Sequence, residues 1–335
     1  MSSTLADRLT DLGYAAGWRL VRAAPQPLAA RAFQCGADLA ARRDGPGARQ
    51  LRRNLARVVP SASPAELDAL VRDGLRSYAR YWQEAFTLPS VDHRALRDRL
   101  DGAMDGVEYL DAALAAGRGV VAVLPHSGNW DVAGLWFVGR HGPFSTVVER
   151  LRPEALYRRF VDYRSSLGFD IVPLTGAGSP TPRLIRRLRA GGVVCLLADR
   201  DLTGGGAPVE FFGETARMPQ GPARLAAATG ATLLVIGCWF TPDGWGIRFH
   251  PPVPVRGRSA TLNATQQVAD CFAVDIAASP QDWHMLQPLW SADLPDPGLI
   301  GSVSPRARRL LQDHESRLRH EEENDTERTR RERPG

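Results

Sequence analysis

From about residue 117 onward, short apolar runs alternate with helix-compatible segments, and this alternation restricts the fold more than any other feature of the chain. The runs are "GVVAVL" (119–124), "FSTVVE" (144–149), "DIVPL" (170–174), "GVVCLLAD" (192–199) and "TLLVIGCWF" (232–240). They have the length and the β-branched content of strands. Segments of helical character lie between several of them, at 130–140, 152–166, 181–190 and 219–229. Alternation of this kind builds an α/β fold, a central and mostly parallel β-sheet flanked by helices. "TPDGWGIRFHPPVPV" adds a hairpin with Asp243-Gly244 at its turn. Residues 262–278 read as a further helix.

The residues upstream read as an N-terminal helical region. Leu9, Leu12, Ala16, Leu20 and Val21 recur at helical spacing, "AAPQP" (23–27) interrupts, and a second run extends from Leu28 to Leu39. Both runs carry arginine and suit either a soluble cap or the surface of a bilayer. "ARQLRRNLARVVP" is a third helix ended by Pro60, and "SPAELDALVRDGLRSYARYWQEAF" a fourth. Ser63, Pro64 and Glu66 mark the start of the fourth. Tyr78, Tyr81, Trp82 and Phe86 form a stripe along it, suited to core packing or to the wall of an apolar ligand site. The expected organisation is a helical, membrane-associating part at 1–115 and an α/β core at 116–303, folded as one domain with those helices. A charged, disordered tail follows at 304–335.

Composition closes off several classes. At 44% hydrophobic the chain can bury a core. All 42 basic residues are arginine, against 37 acidic ones, for a net charge of +5. That excess suits an anionic surface or ligand. No arginine-and-aromatic module for nucleic acid is visible. Cys35, Cys195, Cys238 and Cys271 are scattered without a CxxC pair, and the histidines lack metal-ligand spacing, so no metal is expected. No apolar stretch reaches the roughly 18 residues of a membrane span, so membrane association is expected to be peripheral.

Chemistry concentrates in "AVLPHSGNWDVAGLW" (122–136). His126 falls where a strand ends and a helix begins, and ligands of open α/β sheets bind beyond the carboxyl ends of strands. Gly128 permits tight approach, and Asn129 or Asp131 can cap the helix. One turn of chain brings Asp131 within reach of His126. A carboxylate on one ring nitrogen makes the other a base near neutral pH. Ser127 follows His126 directly and no GxSxG elbow exists, so the base would act on a substrate hydroxyl directly. A second strand exit, "LLADRD", places Asp199, Arg200 and Asp201 on the same side if the two strands run parallel. Gly204, Gly205 and Gly206 are not followed by Lys-Ser/Thr, which excludes a phosphate-binding nucleotide loop. Among the other histidines only His284, in "DWHML", is retained, as a secondary site or a packing residue.

"LPHSGNWDVAG" resembles the H-x4-D motif of membrane glycerolipid acyltransferases. "ARQLRRNLARV", "LLADRDLTGGGAPVEFFGETARMPQGPARLAAATGA" and "PQDWHMLQPLW" are similar to the lipid A lauroyl/myristoyl acyltransferase branch, and most similar to its actinobacterial members that acylate phosphatidylinositol mannoside. The resemblance covers most of residues 5–300 and fails in the tail. It implies transfer of a fatty acyl chain from acyl-CoA, palmitoyl-CoA being the expected donor, to a mannose hydroxyl. No bound cofactor and no covalent enzyme intermediate are implied, and the expected location is the cytoplasmic face of the plasma membrane. His126 matches the general base and Asp131 its motif partner, while Asp199 or Asp201 is the alternative acid. Glu149 is implied in acceptor positioning, Arg164 in donor-phosphate binding, Arg200 and Arg217 in lipid-phosphate pairing, and Asn129 and Trp130 in substrate binding. The rival readings are another glycolipid acceptor such as lipid A, an acyl-ester hydrolase, and a non-catalytic lipid-binding protein.

Overall fold

The strand that matters most, β2 (Val120–Leu124), is five consecutive buried residues, Val-Val-Ala-Val-Leu. Only a strand covered on both faces reads this way. The computed structural model describes residues 17–149, 154–174, 179–201, 205–256 and 259–294. The segment 1–16, the tail from 295 and four short internal segments lie outside these, and with them most of the first helical run and the whole tail expectation. The chain divides into a unit ending at Ala292 and a second one, Asp293–Gly335, of which two residues are described.

The sheet has seven strands. Besides β2 these are β1 (Met104–Asp105), β3 (Ser145–Val148), β4 (Asp170–Pro173), β5 (Val193–Leu197), β8 (Thr232–Thr241) and β9 (Gly244–Phe249), in the order β1-β9-β8-β2-β5-β3-β4. Every pairing is parallel except the β8–β9 hairpin. The sheet is therefore the mostly parallel one that the alternation predicts. Successive residues of β2 face opposite layers. Val121 and Val123 join one core, with Leu184, Leu188, Leu225 and Phe272. Val120, Ala122 and Leu124 join the other, with Leu110, Leu135, Trp136 and Phe169.

The helices are α1 (Gln26–Arg43), α2 (Pro46–Val58), α3 (Pro64–Thr87), α4 (His93–Asp101), α5 (Val107–Ala115), α6 (Trp130–His141), α7 (Glu154–Ser166), α8 (Thr181–Arg189), α9 (Gly221–Thr229) and α10 (Ala260–Ala278). Residues 17–23 are helical too. α1, α2 and α3 share a small core of their own, built on Ala37, Leu51, Leu55, Val71 and Leu75. α3 begins with the capping box its sequence announces. The Glu66 backbone N–H donates to Ser63 Oγ at 3.4 Å, and the Ser63 N–H donates back to Glu66 Oε2 at 2.8 Å. A reciprocal cap of this type stabilises a helix by about 1 kcal/mol.

One segment departs from expectation. The helix expected at 219–229 is present, but no strands are expected directly ahead of it, and residues 207–218 form a separate antiparallel hairpin, β6 (Ala207–Phe211) and β7 (Glu214–Met218). Its inner face is Val209, Phe211, Ala216 and Met218, all buried. Its turn is Phe212-Gly213, both residues at positive φ, which is the backbone a two-residue hairpin turn requires.

Candidate active site

Strand register builds the centre of the site. Leu124 of β2 is paired with Leu197 of β5, and the Ala198 N–H donates to the Leu124 carbonyl one step further on. Both chains then leave the sheet side by side, which sets His126 against Asp199. His126 Nδ1 lies 2.6 Å from Asp199 Oδ1. The His126 backbone N–H donates to Asp199 Oδ2 at 2.9 Å, and the Trp283 indole N–H donates to the same oxygen at 3.1 Å. Asp199 is fully buried. Burial alone would raise its pKa. The His126 imidazole and the hydrogen bonds from His126 and Trp283 outweigh that and hold the carboxyl below its ordinary value. An ionised carboxylate can only accept, so the shared proton sits on Nδ1 and Nε2 of His126 carries the lone pair.

A further segment locks this pair. Residues 279–284 run back along the His126 loop. The Gly128 N–H donates to the Asp282 carbonyl at 2.9 Å, and the His284 N–H donates to the His126 carbonyl at 2.8 Å. Ser127 and Trp283 form an antiparallel bridge between these bonds. Gly128 has φ +57, and a Cβ there would stand 2.7 Å from the backbone of Cys238 and Trp239. Glycine is required for the loop to lie this close to β8.

The motif aspartate is elsewhere. Asp131 is 1% exposed, and it accepts from Arg164 Nε at 3.0 Å and from the Tyr81 hydroxyl at 3.0 Å. The reach from Asp131 to His126 that the spacing suggests is not taken, because the first turn of α6 points this side chain between α3 and α7. Burial disfavours the Arg164 charge, but Asp131 and the adjacent tyrosines hold the guanidinium above its ordinary pKa. Asn129 caps α6, its Oδ1 accepting from the Val132 N–H at 3.1 Å, while its Nδ2 donates to Glu84 Oε2 at 2.7 Å. Asp201 accepts from the Gly206 N–H at 2.7 Å. Arg217 is exposed on β7, where its guanidinium donates to the Gly206 carbonyl.

The dyad opens on a cleft of about 760 Å³. His126, Trp130, Glu149, Arg164, Arg200 and Asp201 line it, whereas Asn129, Asp131, Asp199 and Arg217 do not. Tyr78, Tyr81 and Trp82 of the α3 stripe form part of its wall, joined by apolar residues such as Phe160, Leu184, Ile185 and Leu225. Among the described residues that line it there is no serine or cysteine. Trp130 stacks on Tyr81, ring centroids 4.1 Å apart, and meets the His126 ring edge-on at 5.6 Å. The same indole also walls a narrow apolar slot of about 40 Å³ behind it, between Ala122, Leu124, Gly134, Phe137 and Ile236. One charged residue of the cleft lining escaped the sequence reading. Arg224 comes from the first turn of α9, and its only signal was its place beside Pro219 and Pro222. Ser77, buried outside the lining and discussed below, carried no signal either.

A strand-exit histidine held by a buried carboxylate thus faces a largely apolar cleft with no serine or cysteine among its described lining residues. Residues 3–292 match the family model described as bacterial lipid A biosynthesis acyltransferase. The chain belongs to that family. It is 55% identical over 294 residues to a phosphatidylinositol mannoside acyltransferase of Mycolicibacterium smegmatis, covering 87% of this chain and 95% of the relative. It is 53% identical to the protein of the same description from Mycobacterium tuberculosis, covering 87% and 92%. The acyltransferase thus keeps the H-x4-D spacing of its motif while a residue 73 positions beyond the histidine supplies the acid that touches it.

Proposed function

We propose that the protein transfers a fatty acyl chain from acyl-CoA to a mannose hydroxyl of a phosphatidylinositol mannoside. The observation that carries the reading is the His126–Asp199 pair at the mouth of an apolar cleft. The two relatives' descriptions supply the acceptor class. His126 Nε2 takes the proton of the acceptor hydroxyl as its oxygen attacks the thioester carbonyl. The tetrahedral intermediate collapses, the C–S bond breaks, and the imidazolium returns its proton to the departing thiolate. Arg164, Arg200 and Arg224 give the cleft the cations that phosphate groups of donor or acceptor require.

The developing oxyanion needs donors. The Val132 N–H is taken by Asn129 and the Ala133 N–H by the Asn129 carbonyl, which leaves the first two amides of α6 for this purpose. The Trp130 indole N–H is buried and has no partner. A buried unpaired donor is costly, and a carbonyl oxygen passing between cleft and slot would satisfy it. The acyl chain then follows the slot behind Trp130, which holds little more than a water-sized group here and has to widen around it. Trp130→Phe keeps an aromatic ring in the wall and removes the donor together with the five-membered ring that carries it. It is expected to lower kcat by roughly 10- to 100-fold with the donor KM changed less than threefold. Equal effects on both constants would mean that only packing was lost.

The N-terminal helices supply the membrane contact. Leu20 and Leu28 are 72% and 60% exposed, beside the exposed Arg19, Arg22 and Arg31. No helix of the described residues is long and apolar enough to cross a membrane. The site faces the leaflet that presents acyl-CoA, the cytoplasmic one, as a peripheral enzyme.

The test is a product assay with labelled palmitoyl-CoA and phosphatidylinositol mannoside. Label is expected in an acylated mannoside, and His126→Ala is expected to reduce it by roughly 10³-fold or more. Label recovered only as free fatty acid would replace transfer by hydrolysis. Transfer to lipid A precursors alone would replace the acceptor.

A further inference from the structure

His284 is 5% exposed and lines the cleft, with its ring 6.2 Å from that of Trp130 and 5.2 Å from that of Tyr78. Burial pushes its pKa down to about 3, so the ring is neutral and carries one N–H. Which nitrogen bears it follows from the neighbours. The Ser77 hydroxyl donates to Asp282 Oδ1 at 2.7 Å, and the other carboxylate oxygen of Asp282 accepts the Phe240 N–H at 2.9 Å. Ser77 Oγ also lies 2.9 Å from His284 Nε2. A hydroxyl has one proton to give. Having given it to Asp282, Ser77 accepts from Nε2–H. The lone pair therefore sits on Nδ1, and that atom is buried without a partner.

A buried acceptor left unpaired costs free energy that a bound hydroxyl recovers. We infer that the bare Nδ1 of His284 accepts a hydrogen bond from a second hydroxyl of the acceptor, so that the cleft selects a polyol and orients it for attack at its neighbour. The inference rests on the acyl-transfer reading of the cleft. It assigns His284 a specificity role beside the base, with the Ser77–Asp282 pair fixing its tautomer. The hydroxyl proton that points at Nδ1 stays bonded to the substrate oxygen throughout.

Two measurements test it. In the first, kcat/KM is compared for phosphatidylinositol mannoside and for analogues each lacking one mannose hydroxyl, with the unmodified enzyme and with His284→Phe. One analogue is expected to fall by roughly 10- to 100-fold with the unmodified enzyme. That preference should shrink to within threefold in the variant, whatever the variant's overall rate. Analogues all within threefold of the parent, or a preference that survives in the variant, overturns the proposal. The second needs neither a variant nor turnover. In ¹⁵N-histidine-labelled protein, the His284 Nδ1 resonance is expected to report an unprotonated nitrogen that shifts on titration with methyl mannoside and not with the critical deoxy analogue. A protonated Nδ1, or equal shifts with both sugars, overturns it. Loss of transfer to every acceptor alongside a selective Nδ1 shift would count against the reaction and leave the hydroxyl contact standing.

Discussion

Asp199→Asn is expected to lower kcat by about 10³- to 10⁴-fold while the protein stays folded. Asp199 accepts three hydrogen bonds, from His126 Nδ1 on one oxygen and from the His126 backbone and Trp283 indole on the other. An amide offers one oxygen and one NH2. If the NH2 faces the ring, it must donate to Nδ1, the ring proton moves to Nε2, and the atom that should remove the acceptor's proton is blocked. If the NH2 faces the other way, two N–H donors lose their acceptor and the 279–284 segment loosens from His126. Either rotamer costs the base. The pH behaviour separates this acid from the histidine. The Asp199 carboxyl is held below its ordinary value in the folded protein. Its stabilising contribution is therefore complete above the unfolded value, near 3.9, and is lost as pH falls through the lower folded one. No limb of a pH–rate profile between about 5 and 9 then belongs to Asp199. Steady-state constants for both substrates, with a melting curve, decide the matter. A kcat within tenfold of the unmodified enzyme would remove Asp199 from the mechanism.

How far the sequence foretold this site depends on the range of the interactions involved. The alternation of strands and helices was legible because it is local: "GVVAVL" and "GVVCLLA" are apolar throughout, as central parallel strands must be. His126 was legible for the same reason, standing where such a run ends. The identity of its acid was not. Asp131, Asp199 and Asp201 were equal candidates, and the choice turns on the pairing of Leu124 with Leu197, a long-range register that no spacing encodes. Asn129 and Arg217, read as substrate contacts, stand outside the cleft lining and hydrogen-bond to backbone and, for Asn129, to Glu84. The hairpin at 207–218 had a usable signal in the two-residue period of Val209, Phe211, Ala216 and Met218. It was obscured by a Phe-Gly turn where Asn-Gly or Asp-Gly is the usual marker. α4 and α5 went unread although α8 and α9, of the same nine-residue length, were legible, because only the latter pair lie between the apolar strand runs. Ser77, Asp282 and His284 meet across more than 200 positions, so their hydrogen bonds had no trace in the linear chain.

Asp131→Ala is expected to act on the fold first and on the chemistry second. Removing one partner of a buried ion pair leaves the other charge without compensation, at a cost of about 3–5 kcal/mol. For a chain of this size that corresponds to a melting temperature lower by roughly 4–8 °C. Arg164 cannot escape by losing its proton, since a guanidinium keeps it at any accessible pH. The Tyr81 hydroxyl loses its acceptor as well, and Tyr81 is the ring on which Trp130 stacks. The damage therefore reaches His126 through Trp130, as a displaced wall rather than as a lost proton acceptor. Two comparisons distinguish these. Asp131→Leu combined with Arg164→Met, which removes both charges, is expected to recover most of the lost melting temperature. Asp199→Asn, by contrast, should melt close to the unmodified enzyme and still be nearly inactive. If Asp131→Ala left the melting temperature within 2 °C and lowered kcat as far as Asp199→Asn does, the motif aspartate would be acting on the histidine after all, in an arrangement that the buried Asp131–Arg164 pair forbids.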